Sequence, residues 1–126
     1  MKINKFLTIG LLLMVISCSS MFHVIDDYCV SNEYNNNQLF CNPGCDNLFI
    51  EYVKSIRWDT KKIVVEQLLP DGKQNWYFIV AKDSTLKCNC YDTLLGPFTG
   101  QEKDSVLKVK KIDISKMEEK EWSSPY

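Results

Sequence analysis

Apolar and polar side chains alternate through the middle of the chain, which is the pattern of a half-buried strand. In residues 52–58, Lys54, Ile56 and Trp58 fall on one side and Val53, Ser55 and Arg57 fall on the other. Residues 62–68 contain a β-branched run, and residues 75–81 contain five consecutive aromatic or aliphatic residues. Such residues favour strands. We therefore predict three neighbouring antiparallel strands, with residues 75–81 in the centre of the sheet.

Turn-forming residues separate these segments. The Leu-Pro-Asp-Gly-Lys sequence at 69–73 combines a proline, which fixes φ, with a glycine, which accepts positive φ, so the chain reverses there. The asparagine-rich cluster at 32–37 lies between the β-prone runs 28–31 and 38–41 and predicts a hairpin. The fold class that follows is mainly β with minor α, a single small antiparallel meander sheet with one short helix.

The last third of the chain is less regular. Residues 86–92 predict another strand, and acidic residues near the start of 99–107 favour a short helix because the helix dipole stabilises them there. Basic and aliphatic residues alternate from 108 to 114, which predicts a final strand. Residues 115–126 are expected to be a C-terminal tail or a short helix.

The first twenty residues indicate the compartment. Lys2 and Lys5 precede an apolar run at 6–16, which is typical of a secretory signal and is short against the ~20 residues that cross a hydrocarbon core. Residues 15–18, Val-Ile-Ser-Cys, resemble the bacterial lipobox, which implies cleavage before Cys18 and lipidation of that cysteine. The predicted organisation is a signal peptide at 1–17, a lipidated cysteine and tether at 18–27, an antiparallel β domain at 28–114, and the tail at 115–126.

Size and charge limit the function classes. Cleavage leaves 109 residues, enough for one domain. The signal carries two lysines and no acids, so the net charge falls from −1 to −3. Acids and bases are interspersed, without the clustered basic face of a nucleic-acid binder. We expect no nucleic-acid partner, and a membrane contact through the lipid on Cys18.

Five cysteines follow the lipidation site. They are Cys29, Cys41, Cys45, Cys88 and Cys90. Two disulfides and one free thiol give fifteen arrangements, which sequence does not distinguish. Cys29 and Cys41 flank the asparagine cluster and could face each other across the hairpin, and Cys88 and Cys90 project from one face of a strand. Disulfides persist in an exported protein, and we favour structural bridges here.

The same cysteines suggest a metal alternative. Cys41-x-x-x-Cys45 and Cys88-x-Cys90 supply four thiolates, the number that structural zinc takes. Neither pair has the two-residue spacing common in zinc knuckles. We therefore expect no metal and no other cofactor. A thiol- or metal-dependent protein remains the alternative hypothesis.

Catalytic groups are sparse. His23 is the only histidine and falls in the predicted tether, where an imidazole is not held against a nucleophile. The prediction is a non-enzyme. Aromatic residues most often form the core, but an exposed Trp58 beside Arg57, together with Trp76 and Tyr91, would make a binding face. Trp122 would act similarly if the tail is ordered.

Four segments together resemble a family of small bacterial lipoproteins of unknown function. They are Val53–Asp59, Lys62–Val65, Trp76–Val80 and Leu95–Phe98, roughly half of the mature chain. The resemblance implies a signal, a lipobox, a short hairpin and a core of three strands, and it brings no catalytic residues.

The expected function is that of a lipid-anchored protein on the periplasmic or extracellular face of the bacterial cell envelope. We predict a non-enzymatic binding or accessory module for another envelope protein, a peptide or a glycan. The alternatives are a thiol- or metal-dependent protein that uses Cys41, Cys45, Cys88 and Cys90, or a purely structural lipoprotein.

Overall fold

The computed structural model describes residues 21–33, 35–41, 49–82, 84–88 and 92–126. These ranges contain nine strands and one α-helix, which confirms the mainly β prediction with a minor helix. The predicted signal peptide and the lipidation site Cys18 lie outside the described residues, as do Cys45, Cys90 and Tyr91. Within the described ranges, no helix is both long and apolar enough to cross a membrane.

The strands form two antiparallel sheets rather than one. The N-terminal sheet has the order β1-β2-β3-β4, with β1 at Met21–Ile25, β2 at Tyr28–Ser31, β3 at Gln38–Cys41 and β4 at Phe49–Ile50. The predicted hairpin at 28–41 is confirmed by the pairing of β2 with β3. The predicted tether at 18–27 is wrong for residues 21–25, because Phe22 and Val24 share the inner face of β1 and pack into the core.

The C-terminal sheet has the order β8-β7-β6-β5-β9. Its strands are β5 at Val53–Trp58, β6 at Lys62–Leu68, β7 at Gln74–Val80, β8 at Thr93–Phe98 and β9 at Glu118–Glu121. The predicted meander of β5, β6 and β7 is confirmed. The C-terminal segment contains a strand rather than the predicted tail or helix, because β9 pairs with the open edge of β5. Its charged composition is common in edge strands.

Helix α1 runs over Gly100–Val109 and confirms the predicted short helix. A reciprocal capping box begins it: the Thr99 hydroxyl accepts from the Glu102 N–H at 3.1 Å, and the Thr99 N–H donates to the Glu102 carboxylate at 3.0 Å. The predicted strand at 108–114 is wrong. The helix continues to Val109, whose side chain is exposed, and the chain then forms a 3₁₀ turn at Ile114–Lys116.

The predicted strand at 86–92 is also wrong in the part that the structure describes. Residues 86–88 are not in a strand, and β8 begins only at Thr93. Cys88 has a φ of 50°, a left-handed conformation that interrupts extended backbone.

The described residues form three layers with two apolar cores. The inner core lies between the sheets and includes Tyr28, Leu39, Ile56 and Ile63, all with 0% exposure. The second core lies on the outer face of the C-terminal sheet, under α1 and the chain that follows it. It comprises Val64, Trp76, Phe78 and Ile112, with partly buried neighbours from the helix. Strand β6 is therefore buried on both faces, which explains its continuous run of β-branched residues.

One disulfide joins the two halves of the chain. It links Cys41 at the end of β3 to Cys88, with 5.7 Å between the Cα atoms. The prediction that these cysteines form disulfides is thus confirmed for one bridge. The predicted pairing of Cys29 with Cys41 across the hairpin is wrong. Cys41 lies opposite Tyr28, and Cys29 lies opposite Phe40, so the two cysteines project from opposite faces of the N-terminal sheet. Cys29 is a free thiol.

Candidate functional site

A cleft of about 250 Å³ opens where the two sheets meet. Its walls come from β1, β2, the asparagine-rich turn at 32–37 and the end of β9. The apolar lining is Met21, Phe22, Val30 and Trp122, and the polar lining is Ser31, Asn32, Asn37 and Lys120. Both ends of the described chain therefore contribute to one site.

Three aromatic rings build one wall of the cleft. Phe22 lies between Trp58 and Trp122, with ring centroids 5.7 and 5.8 Å away and interplanar angles of 70° and 88°. These are edge-to-face contacts, the geometry that aromatic quadrupoles favour. Trp58 is only 8% exposed and supports Phe22 from the core side. Trp122 is half-buried and lines the cleft itself.

Lys120 places a positive charge over this wall. Its Nζ lies 5.8 Å from the centroid of Phe22 and 5.7 Å from that of Trp122, within cation–π range. In the register of β9 with β5, Lys120 lies opposite the inward-facing Ile56, so its side chain is on the inner face. The neighbouring acids on β9 have their own cations: Glu119 pairs with Arg57 at 3.4 Å and Glu121 with Lys54 at 3.8 Å.

The floor of the cleft is fixed by Asn37, which is 2% exposed. Its backbone N–H donates to the carbonyl of Pro125 at 2.7 Å, and its carbonyl accepts from the N–H of Val53 at 3.0 Å. Its side-chain amide donates to the carbonyls of Val53 and Ser124 at 3.1 and 2.9 Å. Its side-chain oxygen accepts from the amide of Asn32 at 2.9 Å. Asn37 is thus committed to the fold, and the exposed Asn32 is the amide at the rim.

The residues predicted as a binding face do not form one surface. Trp58 lies in the inner core, whereas Trp76 is 7% exposed and lies in the second core, with Lys103 Nζ 4.2 Å above its ring. Arg57 is on the outer face of β5 with Glu119, because adjacent residues of a strand project to opposite faces. Tyr91 is outside the described residues. Trp122 is the aromatic residue named from the sequence that does line the cleft.

Two of the four cysteines in the zinc alternative are used by the disulfide, and the other two, Cys45 and Cys90, are outside the described residues. The described residues contain no group of three or more histidine, cysteine or acidic side chains arranged to hold a metal ion. Cys41 and Cys88 are bonded to each other and cannot supply thiolates to a metal in this state.

Cys29 is the remaining described thiol. It lies directly opposite His23 in the pairing of β2 with β1, so His23 belongs to a strand rather than to a tether. The Nε2 atom of His23 makes a hydrogen-bonding contact with the carbonyl oxygen of Asp26. Burial and the charge of Asp27 raise the pKa of the Cys29 thiol. The thiol therefore stays protonated near neutral pH and is a weak nucleophile.

A buried phenol anchors the segment that carries the disulfide. The Tyr28 hydroxyl donates to Oδ2 of Asp92 at 2.7 Å, and the same oxygen accepts from the N–H groups of Cys88 at 2.9 Å and Lys87 at 3.2 Å. Burial, the hydrogen bond and the Asp92 charge raise the pKa of Tyr28 well above its usual range. This arrangement holds the chain before β8 against β2.

Sequence reasoning missed most of the cleft. The asparagine cluster indicated a turn, but not that Asn32 and Asn37 would lie beside the C-terminus. Residues 21–25 are apolar except for His23 and show no regular alternation, so they gave no clear signal for Phe22. Lys120 had no distinguishing local pattern, because its position depends on the pairing of β9 with β5.

No protein-family model matches the chain, and the comparisons with curated proteins and with solved structures find no significant similarity. The resemblance to small bacterial lipoproteins therefore stays a prediction.

Proposed function

We propose that this protein is a lipid-anchored, non-enzymatic binding module of the bacterial cell envelope, and that it takes its ligand in the cleft between the two sheets. The observation that carries this proposal is the composition of the cleft. An aromatic wall, a lysine over that wall and an exposed amide at the rim converge on one concave site. Ligand pockets combine apolar and aromatic surface with a few placed polar groups, and this cleft contains both.

The position of the cleft in the chain supports an envelope ligand. Met21 lines the cleft and follows Cys18 by three residues. Three residues span at most about 11 Å when fully extended. A lipid on Cys18 would therefore hold the cleft close to the membrane surface, within reach of envelope proteins, peptides and glycans.

The chemistry of the cleft supports binding rather than catalysis. Lys120 is the one titratable side chain among the described residues that line it. General acid–base or nucleophilic catalysis needs a reactive group and a partner that activates it, within hydrogen-bonding distance of each other. Stacking, amide hydrogen bonds and one positive charge are sufficient to bind and orient a ligand.

Anchoring is tested by feeding radiolabelled palmitate to cells that express the full chain. The wild-type protein should incorporate label and fractionate with membranes. The Cys18→Ser variant should lose both properties. Label or membrane association that survives in Cys18→Ser would contradict the anchored part of the proposal.

Binding in the cleft is tested by photo-cross-linking in intact cells. A photoreactive amino acid at position 33, an exposed position next to the rim residue Asn32, should give a discrete adduct that disappears when Trp122→Ala is added. The same group at position 104, exposed on α1 on the far side of the C-terminal sheet, is the matched control. Equal adducts from positions 33 and 104, or none from position 33, would contradict a ligand site in the cleft.

A further inference from the structure

The size of the cleft limits its ligand to one small unit. Pockets that bury drug-sized molecules measure ~300–1,000 Å³, and this cleft measures about 250 Å³. That volume suits a single monosaccharide or one amino-acid side chain.

The charge of the cleft favours an anionic group. The ammonium group of Lys120 lies over Phe22 and Trp122 and has no carboxylate partner among the described residues, whereas Lys54 and Arg57 are paired. A cationic ligand would be repelled by this charge. A carboxylate would instead form a charge-assisted hydrogen bond with the ammonium group.

The rest of the lining offers apolar and hydrogen-bonding contacts that a small anion alone would not use. Phe22, Trp122 and Met21 present an apolar surface that the C–H groups of a sugar ring can cover. The Ser31 oxygen accepts from the N–H of Glu33 at 3.3 Å, which leaves the hydroxyl hydrogen to donate, and the exposed Asn32 lies beside it. These are partners for the hydroxyl and amide groups of a sugar.

The floor disfavours an extended peptide. Peptide backbones bind best where a protein offers unpaired backbone or amide groups in a row. Here the Asn37 amide donates to Val53 and Ser124, and its N–H donates to Pro125. The floor therefore has no donor left for a peptide carbonyl.

We propose that the cleft recognises one carboxylate-bearing sugar residue, with the carboxylate on Lys120, the apolar face of the ring on Trp122 and the polar substituents on Asn32 and Ser31. This inference rests on the proposed binding function and names the class of ligand. N-acetylmuramic acid and N-acetylglucosamine are suitable probes, because they differ by one lactyl ether that carries a carboxylate. Lactate alone supplies the carboxylate without the ring.

The test is an NMR titration of the full mature chain, purified as the host processes it and held in detergent micelles. The three indole N–H signals are assigned with Trp→Phe variants. N-acetylmuramic acid should shift the Trp122 signal, and N-acetylglucosamine and lactate should each bind at least about tenfold more weakly. Trp76 lies in the second core, so its signal is an internal control and should not move.

Variants of Lys120 separate charge from shape. Lys120→Met should weaken N-acetylmuramic acid binding about tenfold and leave N-acetylglucosamine unchanged, and Lys120→Arg should keep the preference for the acid. Lys108→Met, which removes a charge from the exposed end of α1, is the matched control and should bind as the wild type does.

Equal affinity for the two sugars, or a preference that survives Lys120→Met, would overturn the inference. If lactate binds as tightly as N-acetylmuramic acid, the site recognises only the carboxylate, and the saccharide assignment is overturned. If no sugar shifts Trp122 while the cross-linker at position 33 still gives its Trp122-dependent adduct, this inference fails and the proposed function stands. If the adduct is also missing, both fail.

Discussion

Asn37 holds three segments of the chain together at a single buried position. Its hydrogen bonds reach β5 through Val53 and the C-terminus through Ser124 and Pro125. Asn37→Ala removes the side-chain bonds and leaves the carbonyl groups of Val53 and Ser124 without this donor. Because an unsatisfied buried polar group costs about 1–3 kcal/mol, we expect a loss of about 2–4 kcal/mol in the free energy of unfolding.

Urea unfolding followed by circular dichroism measures this loss. Asn35→Gly is the matched control in the same turn, because Asn35 is exposed and has a φ of 66°, which glycine adopts freely. The control should change stability by less than about 0.5 kcal/mol. Equal effects of the two substitutions would show that the turn, and not the buried amide, supplies the stability.

Tyr28 makes stability depend on alkaline pH. Burial and Asp92 raise the pKa of this phenol in the folded protein, whereas a phenol in the unfolded chain ionises near pH 10. Above about pH 10 the unfolded state releases a proton that the folded state keeps, so the free energy of unfolding falls as pH rises. The slope is about 1.4 kcal/mol per pH unit for each such group, and the stabilisation is fully present below pH 10.

Tyr28→Phe should flatten this decline between about pH 10 and 11.5, with a residual slope because burial also raises the pKa values of Tyr77 and Cys29. At pH 8 the variant should lose about 1–2 kcal/mol with the hydrogen bond to Asp92. Urea unfolding across this pH range measures both effects. Tyr126→Phe, at an exposed C-terminal position, should keep the wild-type decline. A wild-type stability that is constant above pH 10 would contradict the assignment.

At the residue scale, the sequence predicted which types of residue would be buried or lie in turns better than it predicted the contacts of particular residues. Bulky aromatic residues most often lie in protein cores, and Trp58 and Trp76 are buried there. The asparagine cluster predicted a turn, and a turn is present. Which asparagine would be buried was not predictable, because Asn37 meets Ser124, 87 positions further along the chain.

At the scale of elements, the strands that carry their own pattern were predictable. Strands β5 and β6 lie in the ranges that alternation and β-branching predicted, and β7 lies one residue before the predicted range 75–81. Strands β1 and β9 were missed, because each is an outer strand of its sheet and is ordered by its partner rather than by local preference. The alternation at 108–114 led to a wrong strand prediction, because the helix continues through Val109.

The disulfide ties β3 to the segment before β8, two elements that share no ladder. It closes a loop across a sequence separation of 47 residues. A chain-entropy estimate for a loop of this length gives about 4 kcal/mol of stabilisation through the unfolded state. We therefore expect the paired variant Cys41→Ser with Cys88→Ser to lose about 3–4 kcal/mol in the free energy of unfolding.

Urea unfolding without reductant measures this loss, and peptide mapping by mass spectrometry checks the link between Cys41 and Cys88. Cys29→Ser is the control, because Cys29 is a free, partly exposed thiol. It should cost less than about 1 kcal/mol. A map that links Cys41 to Cys29 in the native protein would contradict the observed pairing.

At the scale of the whole molecule, the cleft is assembled from both ends of the described chain. Met21 to Asn37 supply the N-terminal sheet side, and Lys120 and Trp122 supply the other side. No local pattern connects these segments, since the packing of the two sheets and the pairing of β9 with β5 bring them together. The cleft was therefore beyond sequence reasoning, although the strands that frame it were largely predictable.

If the C-terminus is held mainly by Asn37, the two should be energetically coupled. Deleting Ser124–Tyr126 removes the carbonyl groups of Ser124 and Pro125 that Asn37 contacts. In the truncated chain, Asn37→Ala should then cost about 1–2 kcal/mol less than it does in the full chain, because its bond to Ser124 is already lost. A double-mutant cycle of urea unfolding energies measures this coupling, with Asn35→Gly as the substitution that should add independently. Additivity within about 0.5 kcal/mol for Asn37→Ala would mean that other contacts hold the C-terminus, such as the edge-to-face contact of Tyr52 with Tyr126 at 5.8 Å.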